Sequence, residues 1–188
     1  MRCAGMYELR LGVPHTEIPL EAVPKLHPVS LFSNFWFECK GDAPVPLRQT
    51  LDPFKVPTIL PWLILLEAYE ADGQTQFRYR LTGTGCREMI GSDYTGKRLG
   101  EGFTPDAAEA RVREVQKVMS TGEAVYSSHP MPLAERSFIN VFRGIFPVSL
   151  TGENIDQMFI VMAQEDKRLN PFRHSASLAA QSLRLGAD

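Results

Sequence analysis

Two strand-like segments around the dipeptide Asp72-Gly73 constrain the fold of this chain more than any other feature. Residues 62–70 and 74–83 are rich in β-forming residues, and Asp-Gly is a favoured two-residue turn of a β-hairpin. A slip of one residue would turn the apolar side chains outward, so the turn and the pattern together set the register. The predicted cross-strand pairs are Ala68 with Phe77, Leu66 with Tyr79, Ile64 with Leu81, Tyr69 with Gln76, Glu67 with Arg78, and Leu65 with Arg80.

Helix and strand signals elsewhere give an order of elements. Helices are predicted from Pro28 to the stop signal Gly41, in residues 83–91, and after Thr104, whose neighbour Pro105 suits a first helical position. Three more strand-like segments follow, at 124–129, 137–150 and 156–164. This order predicts an α+β fold, a five-stranded antiparallel sheet with helices on one face, plus an N-terminal flanking helix.

The chain divides into four segments. Residues 1–27 form an irregular N-terminal arm, with one short strand around residues 6–11. Residues 28–61 form the flanking helix and a Pro-rich connector, and residues 62–166 form the core. Residues 167–188 form a C-terminal tail whose weak amphipathic stretch contains Leu178, Leu183 and Leu185.

Charge and composition exclude several classes of protein. The chain has 188 residues, of which 44% are apolar, enough for a packed core. Its 20 Lys and Arg against 22 Asp and Glu argue against nucleic-acid binding through bulk charge. No segment approaches the ~20 apolar residues of a membrane span, and no secretory signal is evident. Three widely spaced cysteines fit reduced thiols and a cytoplasmic location.

No motif in the sequence points to catalysis or to a metal. There is no His pair at i, i+4, no Gly-x-Ser-x-Gly and no phosphate-binding loop. Ser128 and His129 are adjacent on a predicted strand, where neighbouring side chains point to opposite faces, so they cannot pair directly. His129 could line the mouth of a pocket, whereas His15, His27 and His174 lie outside the predicted core. We therefore expect no enzyme active site.

The sequence gives more information about a ligand pocket than about a catalytic or metal site. Residues 137–150 and 156–164 are apolar on both faces, so both faces should be covered, and a polar side chain there needs a partner. Arg143 would favour an anionic ligand, or it could instead pair with Glu67 or Glu165 on the outer face. A bulge at Gly144 would change which side chains share a face. The candidate ligand-binding residues are Tyr79, Tyr126, Asn140, Phe142, Arg143 and Met162.

Four short motifs occur here in an order that resembles the PAS domain. They are Asp52-Pro53 with Val56-Pro57 and Leu60-Pro61; FRYRLTGT at 77–84; Tyr94-Thr95-Gly96-Lys97 with Leu99; and Phe146-Pro147. The similarity covers about residues 28–166, which makes the core PAS-like. It is closest to a bacterial family of short, mostly stand-alone PAS-like proteins.

The resemblance implies a sensory module for signal transduction. Such domains hold a small ligand between the sheet and the helices and commonly dimerise, so we expect a small organic ligand, a homodimer and a separate output protein. We expect no cofactor. Haem would need a His on the 105–121 helix, which has none, and Gly85 replaces the Asn beside the reactive Cys of flavin-binding relatives, so Cys86 is expected to be a packed thiol.

Two other functions remain open at this point. A protein–protein adaptor on the same fold would have a filled core and an exposed apolar surface, formed either by Phe32, Phe35 and Trp36 or by the C-terminal tail. These three residues are also the candidate dimer contacts. A small enzyme would need an Asp or His deep in the pocket with a shifted pKa, and the apolar faces of the strands offer none.

Overall fold

The computed structural model describes residues 15–130 and 140–165. The short strand expected at 6–11, the start of the strand expected at 137–150, and the tail with Leu178, Leu183 and Leu185 lie outside these residues. The helices are α1 (Pro28–Lys40), α2 (Thr84–Ile90) and α3 (Pro105–Thr121), with 3-10 turns at Leu20–Ala22, Pro53–Lys55 and Pro57–Trp62. The strands are β1 (Thr16–Glu17), β2 (Leu63–Ala71), β3 (Gln74–Thr82), β4 (Val125–Pro130), β5 (Asn140–Val148) and β6 (Gln157–Gln164).

One antiparallel sheet contains all the strands, in the order β1-β4-β5-β6-β2-β3. The predicted α+β fold is confirmed, but the sheet has six strands rather than five. The additional strand, β1, comes from the N-terminal arm and pairs Thr16 with Ser128 and Glu17 with Ser127 of β4. Two residues are too few to show a strand periodicity in the sequence, which explains why β1 was not predicted.

The predicted register of the β2–β3 hairpin is correct near the turn and wrong at the end away from it. Pairs from Ala71–Gln74 to Leu66–Tyr79 match the prediction. A bulge then leaves Arg80 unpaired, so that Leu65 lies opposite Leu81 and Ile64 opposite Thr82. Because the bulge adds one residue to β3 only, it turns Leu81 outward, where that side chain is 47% exposed.

Both faces of the sheet are covered, and each builds its own core. Helices α2 and α3 cover one face with a cluster that includes Cys86 and Val115. Helix α1 covers the opposite face with Phe32 and Trp36. The pairing of β5 with β4 and β6 is continuous through Gly144, so no bulge interrupts the alternation of faces along this strand.

Three of the four aromatic residues of α1 are buried within the chain, whereas Phe37 is 50% exposed. The helix begins where the Nδ1 atom of His27 accepts a hydrogen bond from the Val29 backbone N–H at 3.2 Å. Phe32, Phe35 and Trp36 are 0%, 8% and 1% exposed. The expectation that they form a dimer or partner surface is therefore corrected, since they pack against the sheet of their own chain. In the described residues no helix has both the length and the apolar character needed to cross a membrane.

Candidate functional site

A cavity of about 70 Å³ lies between the sheet and the helices α2 and α3. Each of the strands β2 to β6 contributes at least one side chain to its wall. One end of the cavity is polar and the rest is mostly apolar. The lining residues are His15, Ile64, Tyr79, Ile90, Tyr94, Phe103, Arg111, His129, Arg143, Ile160 and Met162.

The wall beside β3 is built from the two PAS-like motifs that the sequence separates by ten residues. The backbone N–H of Tyr79 donates to the carbonyl of Lys97 at 2.9 Å, and the N–H of Gly96 donates to the carbonyl of Tyr79 at 2.8 Å. Gly96 has a φ of 86°, a conformation that favours glycine. This pairing brings the rings of Tyr79 and Tyr94 to 5.5 Å, which explains why the two motifs occur together.

The polar end is organised by a buried ion pair between Arg143 of β5 and Glu114 of α3. The Nη1 atom of Arg143 donates to Oε2 of Glu114, and these side chains are 6% and 16% exposed. Arg111, one helical turn before Glu114, approaches the same carboxylate at 3.5 Å. Two guanidiniums therefore share one carboxylate at the edge of the cavity.

The ionisation of this cluster follows from burial and from neighbouring charges. Burial alone would raise the pKa of Glu114, but the neighbouring Arg143 guanidinium outweighs it and holds that pKa well below its usual range. Burial, with Arg143 nearby, lowers the pKa of Arg111 to about 10. Burial also raises the pKa of Tyr79 to about 12. At neutral pH the carboxylate is ionised, Arg111 is protonated and the Tyr79 phenol is neutral.

Two stacked histidines complete the polar end. His15 precedes β1, and its ring lies 4.2 Å from the ring of His129 in β4. Burial lowers the pKa of His15 to about 4 and that of His129 to about 3, so both are neutral at pH 7. The Nδ1 atom of His15 accepts from Arg111 at 2.6 Å, which leaves its proton on Nε2. The Nδ1–H of His129 donates to the carbonyl of Pro130 at 2.8 Å, which leaves Nε2 as an acceptor.

These two Nε2 atoms are buried and have no hydrogen-bond partner among the described residues. One is a donor and the other is an acceptor, by the tautomers just derived. Buried polar atoms without partners are uncommon in proteins and often mark the place of a water or a ligand. Both belong to residues that line the cavity.

A serine also approaches His15, but the arrangement is not a catalytic triad. The Ser127 hydroxyl lies 3.5 Å from Nδ1 of His15, and the nearest Glu114 oxygen lies 3.7 Å from the same Nδ1. In a triad the hydroxyl and the carboxylate use opposite nitrogens of the imidazole. The geometry therefore lacks the relay that would activate a serine.

Three of the six residues predicted to bind a ligand line the cavity, namely Tyr79, Arg143 and Met162. Of the other three, two point to the opposite face of the sheet and one lies at the start of β5. Tyr126 and Phe142 belong to the cluster under α1, and Asn140 is exposed and donates to Glu165 at 3.0 Å. Since neighbouring side chains of a strand alternate, Phe142 and Arg143 could not both reach one pocket.

The suggested outer-face partners of Arg143 are also corrected. Arg143 faces the cavity and pairs with Glu114 rather than with Glu67 or Glu165. Glu67 instead pairs with Arg78 at 2.7 Å, as the hairpin register predicted.

Sequence reasoning missed His15, Arg111 and Glu114 as site residues. His15 was placed outside the core, and a lone histidine in an irregular arm carries no signal of the pairing of β1 with β4. Arg111 and Glu114 were detectable in principle. They lie at helical spacing between the buried Ala107 and Val118, on the face that α3 turns to the sheet.

Cys86 is a fully buried thiol, as predicted. It is 0% exposed, and burial raises its pKa to about 12. It belongs to the apolar cluster under α2 and α3 and is absent from the cavity wall. A neutral, enclosed thiol of this kind is a packing residue.

Comparison with known proteins identifies the family of this fold. No curated protein gives a significant match to the chain. A family model described as the PAS domain matches residues 25–141, which is more than half of the chain and includes α1, the β2–β3 hairpin and both tyrosine motifs of the cavity wall. The chain therefore belongs to the PAS domain family.

Proposed function

We propose that this protein is a cytoplasmic sensory module that binds a small organic ligand in the cavity between the sheet and the helices α2 and α3. Occupancy would be passed on through a second copy of the chain or a separate output protein, since PAS domains commonly act in this way. The observation that carries the proposal is the pair of buried, unpartnered Nε2 atoms on residues that line the cavity.

The unused hydrogen-bonding capacity of the cavity extends beyond the histidines. In the described residues, the hydrogen bonds of Arg111 and Arg143 use only Nη1. The Nε and Nη2 groups of both side chains can therefore donate to a ligand. The Tyr79 hydroxyl has no hydrogen bond within the same residues and lines the wall. Groups of this kind fix the orientation of a ligand in an otherwise apolar pocket.

The adaptor alternative loses its main support. It expected an exposed apolar surface either on Phe32, Phe35 and Trp36 or on the tail, and these three residues are buried within the chain, whereas the tail lies outside the described residues. The cluster that they join lies under α1, on the face of the sheet away from the cavity.

An enzyme is the second candidate, because His15 and His129 lie in the cavity where the sequence offered no such group. A general base works best when its pKa is near the working pH. The two imidazoles have pKa values of about 4 and about 3, which makes them weak bases at neutral pH. Among the described residues no serine or cysteine lines the cavity, and Ser127, which lies 3.5 Å from His15, has no relay there to activate its hydroxyl. Binding without catalysis is the better-supported function.

Native mass spectrometry of the freshly purified full chain, compared with denaturing spectra, tests the proposal. We expect an additional non-covalent mass on the native species, and fragmentation would give its compound class. The same spectrum measures whether the species is a monomer or a dimer. Absence of an added mass, together with no stabilisation by any compound in a metabolite thermal-shift screen, would contradict ligand sensing.

A further inference from the structure

We infer that the ligand is a short aliphatic monocarboxylate of about two to three carbons, its carboxylate bound by Arg111 and Arg143 and its carbon chain directed to the apolar wall. This inference rests on the proposed function and specifies the ligand class of the same cavity. Three observations support it, namely the charge of the polar end, its unused hydrogen-bond donors and the size of the space.

Among the described residues, the charge of the polar end is unbalanced by one unit. Arg111 and Arg143 are cations, Glu114 is the one carboxylate they share, and His15 and His129 are neutral. The excess positive charge is buried, because the Arg111 and Arg143 side chains are 15% and 6% exposed. A buried charge without a partner is costly. One bound monoanion would neutralise the cluster, whereas a phosphate dianion would over-compensate it.

The donors at this end suit the two oxygens of a carboxylate. Nε and Nη2 of a guanidinium form the planar fork that binds carboxylates with two parallel hydrogen bonds. Both guanidiniums keep these atoms unused within the described residues, as shown above. The buried Nε2–H of His15 is a further donor without a partner there. A neutral ligand would leave this concentration of donors largely unsatisfied.

The size of the cavity limits the ligand to a few atoms. Its volume is about 70 Å³, about half that of the ~150 Å³ apolar cavity that holds benzene in another protein. Benzene has six non-hydrogen atoms, so by that proportion the cavity accepts roughly three, which makes acetate close to its size and propionate the upper limit. The wall away from the arginines is formed by side chains such as Ile64, Phe103 and Ile160, which suits a short alkyl chain and not a second charged group.

The first experiment compares probes of nearly equal shape on the wild-type full chain. Calorimetric titration and thermal shift would be measured in a carboxylate-free buffer at constant ionic strength, after dialysis to remove bound material. The probes are acetate, propionate and butyrate, with propionamide, propylamine and inorganic phosphate for comparison. We expect propionate to bind about tenfold or more tightly than propionamide, because hydrogen bonds to a charged group are the stronger ones. Propylamine should not bind.

The second experiment removes the excess charge. Arg111→Gln leaves the Arg143–Glu114 pair in place and should weaken propionate binding about tenfold or more, with propionamide binding changed by less than about twofold. Arg113→Gln is the matched control, since it lies on the same helix, changes the net charge equally and is 62% exposed. It should leave propionate binding unchanged.

The outcomes separate this inference from the proposed function. Binding of propionamide as tight as that of propionate, or binding of phosphate alone, would overturn the monocarboxylate and leave a ligand-binding module. If no probe of any charge binds and the native mass spectrum shows no added mass, both the monocarboxylate inference and the proposed ligand-binding function are contradicted. The wild-type probe series decides the question even if Arg111→Gln does not fold.

Discussion

The imidazole of His15 lies flat against the imidazole of His129, with ring centroids 4.2 Å apart and planes within 8° of parallel. His15 belongs to the segment that enters β1, and His129 belongs to β4, so the stack joins the N-terminal arm to the wall of the cavity. Two other contacts of this arm, a backbone hydrogen bond and an ion pair, also hold it in place. The Ile18 N–H donates to the carbonyl of Tyr126 at 3.0 Å, and Glu17 pairs with Lys117 of α3 at 2.7 Å.

This stack should make folding sensitive to mild acid. The groups that face it are Arg111 and Glu114 of α3 and Arg143 of β5, and burial lowers the pKa of both imidazoles from 6.5 to about 4 and about 3. As pH falls below ~6.5, the unfolded chain takes up protons that the folded chain does not, so stability present above that pH is lost. Between pH 7.5 and 5.0 we expect a loss of about 2 kcal/mol for each histidine, measured by urea unfolding without ligand.

The variant His129→Gln isolates this effect. It should remove about half of the pH-dependent loss, whatever it does to stability at pH 7.5. Glu114 does not affect this comparison. The pKa of its carboxyl is lowered in the folded chain, so its contribution to the free energy of unfolding is lost only below about pH 4.5, the usual pKa of a glutamate. An unchanged difference between the two pH values in His129→Gln would show that the stack is not the acid-sensitive element.

Removing Arg143 alone should cost far more than removing all three charges of the cluster. Arg143→Met leaves a buried carboxylate with only Arg111 beside it, and we expect a loss of about 3–5 kcal/mol in the free energy of unfolding. Adding Glu114→Gln and Arg111→Gln together to Arg143→Met should recover most of this loss, because neither a buried anion nor an unpaired buried cation then remains.

The exposed pair Arg113–Glu109 on the same helix is the control for this series. Its side chains are 62% and 67% exposed, so Arg113→Met should cost less than about 1 kcal/mol. Equal losses in Arg143→Met and Arg113→Met would mean that the buried pair adds nothing specific to stability.

Gly83, which joins β3 to α2, should not tolerate a side chain. A Cβ there would lie 2.5 Å, 2.7 Å and 2.8 Å from the carbonyl oxygens of Pro61, Leu60 and Leu63. Backbone oxygens cannot move aside as the end of a flexible side chain can, so Gly83→Ala should destabilise the fold by about 1–3 kcal/mol or more. The neighbouring exposed Thr84 provides the control. Thr84→Ala should have a free energy of unfolding within about 0.5 kcal/mol of the wild-type value, measured by thermal unfolding.

Tyr126→Phe should affect stability without affecting the ligand. The Tyr126 hydroxyl lies 2.7 Å from the Ser33 hydroxyl in a buried hydrogen bond under α1. Loss of this hydrogen bond should lower the free energy of unfolding by about 1 kcal/mol. Because this bond is on the face of the sheet away from the cavity, propionate affinity should be unchanged, whereas Tyr79→Phe removes a group from the cavity wall and should weaken it. Equal loss of affinity in the two variants would contradict this separation of the faces.

Much of the fold could be predicted because its signals are local. Gly41, Gly91 and Gly122 each follow the last residue of a helix, as helix-stop glycines do. The Asp72-Gly73 turn set the hairpin register correctly as far as Leu66 and Tyr79. The bulge at Arg80 could not be predicted, because the apolar alternation of Phe77, Tyr79 and Leu81 continues through it in the sequence.

By itself, the sequence determined the helices, the strands other than β1, their order and the membership in the PAS domain family, because turn residues, helix stops and alternating apolar residues act over short distances along the chain. The tertiary structure alone decided the site. His15 and His129 are 114 positions apart in sequence, and Arg143 meets Glu114 across 29 positions. Neither contact has a local signature, since each exists only after β1 pairs with β4 and α3 packs on the sheet. The chemistry of the cavity is therefore a property of the packing between elements.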